Sequence, residues 1–169
     1  MAVGAAVVHR DGRLVFQGQS MRCALGRGGV IAPERKREGD GATPAGLLTL
    51  RRMFYRADRG PIPRTSLPRV PIMRNDGWCD DPDHAEYNRL VRLPFDASHE
   101  QMWRDDALYD VVAELGWNDA PVARWCGSAI FLHLAGADFG PTEGCVALAR
   151  ADLLALLAGG LTALRVQPG

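Results

Sequence analysis

Ser128-Ala129-Ile130-Phe131-Leu132-His133-Leu134-Ala135 is followed by Thr142-Glu143-Gly144-Cys145-Val146, with Gly136, Gly140 and Pro141 in the loop between. The first stretch is the strongest strand signal in the chain. Its alternation puts Ile130, Leu132 and Leu134 on one face and Phe131, His133 and Ala135 on the other. A histidine thus sits in an apolar strand, and a cysteine follows twelve positions later in a glycine-flanked turn. The loop is long enough to fold the cysteine back toward the imidazole. A thiol needs a base to become a good nucleophile at neutral pH, and an imidazole supplies one.

Working outward, the flanking chain reads as strands. Ala5 to His9, the turn pair Asp11-Gly12 and Arg13 to Gln17 predict a hairpin, and Gly18 marks a turn before a strand over Gln19 to Leu25. Gly26 to Pro44 is glycine-rich and charged, and reads as a loop; Leu47 to Phe54 is again strand-like. Prolines rule out regular structure for most of Arg56 to Pro71. An acidic stretch over Asp76 to Glu86 follows. Ser98-His99-Glu100-Gln101 is a capping-box pattern and predicts a short helix over His99 to Arg104. Tyr109 to Glu114 reads as a strand and Asn118-Asp119-Ala120-Pro121 as a turn. Arg150 to Ala158 reads as a helix ended by Gly159-Gly160, and Leu161 to Val166 as a closing strand. The sum is a mainly β chain with one or two short helices, organised as one domain over residues 1–169.

Composition narrows the function classes. At 169 residues and 47% hydrophobic the chain can bury one good core. A formal net charge of zero gives no global field for nucleic acid or an anionic membrane. Lys36 is the only lysine among 20 basic residues, the rest being arginine. No apolar run approaches the roughly 20 residues of a membrane span. Met1 to Val8 is apolar but lacks a basic n-region, so no signal peptide is expected and the chain reads as cytosolic or as a processed or truncated form. Cys23, Cys79, Cys126 and Cys145 are too widely spaced for a zinc motif, and the first three read as small buried hydrophobes.

At the central pair, His133 can take the Cys145 proton and later protonate a leaving amine. Its second ring nitrogen needs a partner, and Asp138 or a strand carbonyl both qualify. Gly144 before the cysteine permits φ > 0 and close backbone approach. The N–H groups of Gly144 and Cys145 are therefore oxyanion-hole candidates. A core histidine beside a buried cysteine would give the same local pattern.

The segment Thr142-Glu143-Gly144-Cys145-Val146 downstream of His133 resembles the signature of the YkuD-type L,D-transpeptidase catalytic domain. Gly39-Asp40-Gly41-Ala42-Thr43-Pro44-Ala45-Gly46-Leu47-Leu48 resembles the same family's early Thr-Pro-x-Gly segment. Both occur in the family's order. The resemblance implies a β-sandwich-like fold with no cofactor or metal, and action on peptidoglycan peptides in bacterial cell-wall biogenesis. It implies acyl transfer through a thioester on Cys145, with His133 as base and acid and the Gly144–Cys145 turn as oxyanion hole. Water as acceptor would make the enzyme an L,D-carboxypeptidase or amide hydrolase, and loss of turnover would leave a peptide-binding relative. The family acts in the cell envelope.

Three positions depart from the pattern: Glu143 and Ala147 stand where the family commonly has histidine and arginine, and Leu134 where it has glycine. Glu143 near a thiolate would oppose ionisation, so it is expected to face solvent. The insert Arg56 to Pro94 is expected to border the site. Thr142, Trp78, Tyr87 and Asn88 are candidate substrate-binding residues, although Trp78 and Tyr87 could equally pin the insert to the core.

Overall fold

The structure, a computed structural model, describes residues 4–168, so the first three residues of the apolar start lie outside it. Strands β1 (Ala5–His9), β2 (Arg13–Phe16) and β3 (Gln19–Ala24) form the expected meander. Gly12 and Gly18 turn it at φ of 82° and 81°, where a side chain would be strained. The segment read as a loop is stitched by a two-residue pair, β4 (Val30–Ile31) and β5 (Thr43–Pro44), with a 3₁₀ turn at Pro33–Arg35.

Strand β6 (Gly46–Tyr55) organises the molecule. Its first half pairs with β14 (Ala163–Val166) and its second half with β11 (Val111–Leu115), where the register shifts between Ala113 and Leu115. With β12 (Phe131–Leu134) and β13 (Val146–Leu148), the order is β11-β12-β13-β3-β2-β1-β14-β6, and β6 returns to β11. The sheet is closed on itself, and β7 (Arg69–Pro71) is added outside β6. One strand that changes partners along its length makes the corner between two layers. The expected mainly β, sandwich-like fold is therefore present as a sheet with joined layers.

The alternation read in β12 sorts its side chains into two cores. Ile130, Leu132 and Leu134 join Leu14, Leu48, Met53, Leu148 and Leu164, together with Leu153, Leu156 and Leu157 of α1 (Arg150–Ala158). Phe131 belongs to a second cluster with Phe54, Trp78, Met102, Tyr109, Val112 and Cys145. Trp78 stands edge-on to Phe131 with ring centroids 5.0 Å apart. A small sheet, β10 (His99–Gln101), β8 (Asp76–Cys79) and β9 (Leu90–Arg92), covers this second core.

β10 corrects the predicted helix over His99 to Arg104. Its residues pair antiparallel with β8, His99 opposite Cys79 and Gln101 opposite Gly77. Met102 follows at zero exposure, its N–H donated to the Asp76 carbonyl. One turn of helix is costly to nucleate. Backbone pairing with β8 and burial of Met102 outweigh the local capping pattern.

Candidate active site

His133 and Cys145 line one open cavity of about 610 Å³ at the edge of the β12–β13 pair. The two strands run parallel, with His133 opposite Ala147, so the turn before β13 returns to the strand that carries the histidine. Phe131, His133 and Ala135 share a strand face, and its last two positions open into the cavity.

His133 is held from two sides. Its Nδ1 lies 2.9 Å from the carbonyl oxygen of Leu134, which fixes the Nδ1–H tautomer and leaves Nε2 as the basic nitrogen. The choice left open between Asp138 and a carbonyl falls to the carbonyl; Asp138 instead accepts from the Gly140 N–H at 3.1 Å. Because the contact is to backbone, leucine serves at position 134 while its side chain fills the core. Tyr109 packs edge-on against the imidazole at 5.3 Å and donates its hydroxyl to Glu100 Oε1 at 2.6 Å. Burial lowers the His133 pKa to about 4, with the nearby Arg104 charge acting in the same direction and the Leu134 carbonyl opposing. The ring is neutral at pH 7.

Cys145 Sγ lies between two backbone groups. The thiol donates to the Ala129 carbonyl at 3.2 Å and accepts from the Phe131 N–H at 3.3 Å. Burial pushes its pKa up to about 12, with Glu100 adding to the shift and the Phe131 N–H and Lys36 opposing it. The resting pair is neutral thiol and neutral imidazole.

The Gly-Cys turn is braced by both sequence motifs. Thr142 Oγ1 donates to the Cys145 carbonyl at 2.7 Å and accepts from the Gly144 N–H at 3.2 Å. Thr142 also pairs through its backbone with Leu25 and Arg27. Gly144 has φ of 131° and backs onto the Ala42 carbonyl of the upstream motif. Within that motif Asp40 accepts from the Arg37 and Ala42 N–H groups at 2.7 and 2.8 Å and from Lys36 Nζ at 2.6 Å. Thr43 Oγ1 accepts from the Gly26 N–H at 2.9 Å. The two distant motifs are therefore the two sides of one packed wall. The Gly144 N–H is occupied by Thr142, whereas the Cys145 N–H makes no hydrogen bond within the turn.

The family model for YkuD, the L,D-transpeptidase catalytic domain, matches residues 5–159. The chain belongs to the YkuD family. Searches of curated proteins and of solved structures found no match. YkuD domains act on peptidoglycan peptides and are associated with the cell envelope. Among the described residues no helix is long and apolar enough to cross a membrane.

Within this YkuD domain the remaining candidates divide. Thr142 lines the cavity. Trp78, Tyr87 and Asn88 do not; all three are buried, and Trp78 and Asn88 line a separate, smaller cavity. Trp78 Nε1 donates to Asn88 Oδ1 at 3.0 Å, Tyr87 donates its hydroxyl to Glu38, and Asn88 Nδ2 donates to the Trp117 and Asn118 carbonyls. Their polar tips meet partners within the protein and so tie the insert to the core. Glu143 faces solvent as expected, paired with Arg27 Nε at 2.8 Å. Cys23 and Cys79 are buried, as expected, while Cys126 is only partly so; all four cysteines are free thiols.

Local patterning missed Glu38, Glu100, Arg104 and Tyr109 on the cavity wall. Glu100 was hidden by its capping-box reading, and Tyr109 by its placement in a strand that begins at Val111. Lys36 also lines the cavity, and its signal was present: it is the single lysine of an arginine-rich chain.

Proposed function

We propose that this YkuD domain is a cysteine L,D-transpeptidase acting on peptidoglycan stem peptides, with residues 1–169 serving as one catalytic unit. The observation that carries it is the shared cavity of Cys145 and His133, with the imidazole tautomer fixed by the Leu134 carbonyl. In this reading the thiol leaves the Ala129 carbonyl and gives its proton to His133 Nε2. The sulfur attacks the carbonyl of an L-centre in the donor peptide. The Cys145 N–H stabilises the oxyanion, and the Gly144 N–H joins it on release from Thr142. His133 returns the proton to the departing amine of the terminal D-residue, leaving a thioester on Cys145. An amine acceptor attacks the thioester, loses its proton to His133, and the thiol re-forms.

Incubation with stem tetrapeptide, with and without a diamino acid acceptor, tests this by product mass. Transfer predicts release of the terminal D-residue and an acceptor-linked product. Release without any linked product would make the domain an L,D-carboxypeptidase instead. A carbapenem should add its mass at Cys145 and nowhere else. Folded protein with no such label and no turnover would leave a peptide-binding relative.

A further inference from the structure

Ala129, whose carbonyl holds the Cys145 thiol, is itself held in an uncommon conformation. Its φ is 52°, in the left-handed region that a residue with a Cβ seldom adopts. Such a backbone persists when its surroundings over-determine it. Here the Ala129 N–H is donated to Asn88 Oδ1 at 3.0 Å, and the Ser128 hydroxyl before it to Glu38 Oε2 at 2.8 Å. Asn88 is a fixed anchor. It is 7% exposed, its own φ is 57°, its N–H is donated to the Cys79 carbonyl, and its Nδ2 spans the Trp117 and Asn118 carbonyls at 3.0 and 2.8 Å.

We infer that Asn88 is a positioning residue that holds Ala129 turned toward Cys145, so that the Ala129 carbonyl stores the nucleophile as a thiol. The carbonyl accepts the S–H proton at 3.2 Å, but its lone pairs would face a thiolate and oppose it. The Phe131 N–H on the other side of Sγ favours the thiolate. The backbone thus sets the resting charge of the sulfur, and Asn88 sets the backbone. This inference rests on Cys145 being the nucleophile.

The titratable and charged groups around the sulfur are Glu100 and Tyr109, Lys36, Glu143 and His133, and Glu38, Asp80, His99 and Arg104 line the same cavity. None of them is changed by substitution at Asn88. The test is the pH profile of Cys145 alkylation by iodoacetamide, with the adduct located by peptide mass. It reads the thiol whether or not the chain transfers peptides, so its failure is separate from failure of the proposed activity.

Asn88→Gly removes the amide while its backbone still adopts φ of 57°. The expected result is a midpoint at least one pH unit below the parent's, which is about tenfold faster alkylation below the midpoint. Trp78→Phe removes the other donor to Asn88 Oδ1 but keeps the ring, and should leave the midpoint in place. Asn88→Asp keeps an oxygen for the Ala129 N–H and should give a midpoint at or above the parent's. An unshifted midpoint in folded Asn88→Gly, or an equal fall in Trp78→Phe, overturns the inference. Should Asn88→Gly not fold, a lowered midpoint in Asn88→Asp overturns it.

Discussion

A Cβ placed on Gly144 would lie 2.9 Å from the carbonyl oxygen of Ala42. This one contact joins the Gly-Cys turn to the upstream Gly-Ala-Thr-Pro segment, more than 100 residues earlier. The clashing atom belongs to the backbone of a segment tied down by Asp40 and Thr43, so it has little room to retreat. Gly144 also has φ of 131°, where alanine is strained. Gly144→Ala should lower stability by about 1–3 kcal/mol, measured by urea unfolding. Turnover should fall by more than tenfold, because the displaced turn carries both the sulfur and the Cys145 N–H.

Removing either partner of the proposed dyad should separate chemistry from folding. Cys145→Ala and His133→Ala should each cut peptide transfer by about a thousandfold or more. Thermal unfolding should show both variants folded. Retained turnover in either variant would remove that residue from the mechanism.

Stability should respond to pH at both ends of the scale. The folded His133 titrates at about 4, below the ordinary value of 6.5, because burial favours the neutral ring. Between those values the unfolded chain binds the extra proton, so stability is present above pH 6.5 and is lost as pH falls toward 4. Cys145 and Cys23 are pushed by burial from 9.0 to about 12. Their contribution is present below pH 9 and is lost as pH rises toward 12. Urea unfolding across pH 4–10 should therefore show a plateau between about 6.5 and 9. Substituting His133 by glutamine should flatten its acid side.

The wall behind the turn depends on a buried cation. Lys36 is 3% exposed and its Nζ is 2.6 Å from Asp40 Oδ1. Burial raises the Asp40 pKa, but hydrogen bonds from Lys36, Arg37 and Ala42 outweigh it, and the carboxyl titrates below its usual range. Asp40→Ala leaves the ammonium unpaired and two backbone N–H groups without their acceptor. A loss of about 3 kcal/mol is expected in urea unfolding. Lys36→Met with Asp40→Asn should recover part of it.

The exposed ion pair that Glu143 of the cavity lining makes with Arg27 should behave in the opposite way. Arg27 and Glu143 are mostly solvated, so Arg27→Ala should leave the melting temperature unchanged. It frees the Glu143 carboxylate, whose charge opposes ionisation of Cys145. Turnover should fall by about two- to fivefold at low salt, and added salt should shrink the difference.

The sequence alone identified the features whose causes are local. The β1–β2–β3 meander follows from alternation and two glycine turns, the two faces of β12 from its period, and the helix end from Gly159-Gly160. His133 and Cys145 stood out as candidates because the Gly39–Leu48 and Thr142–Val146 segments resemble one family in its order, whereas their spacing alone fits a buried core pair equally. Tertiary structure decided whatever depends on partners far along the chain. Closure of the sheet rests on β6 changing from β14 to β11, and β10 is a strand because β8 offers its backbone. The partner of His133 Nδ1 is a carbonyl, which no side-chain pattern announces. Trp78, Tyr87 and Asn88 look alike in sequence whether they face a ligand or a buried acceptor. Burial and hydrogen-bond satisfaction distinguish the two, and both are set by the assembled fold rather than by neighbours in the chain.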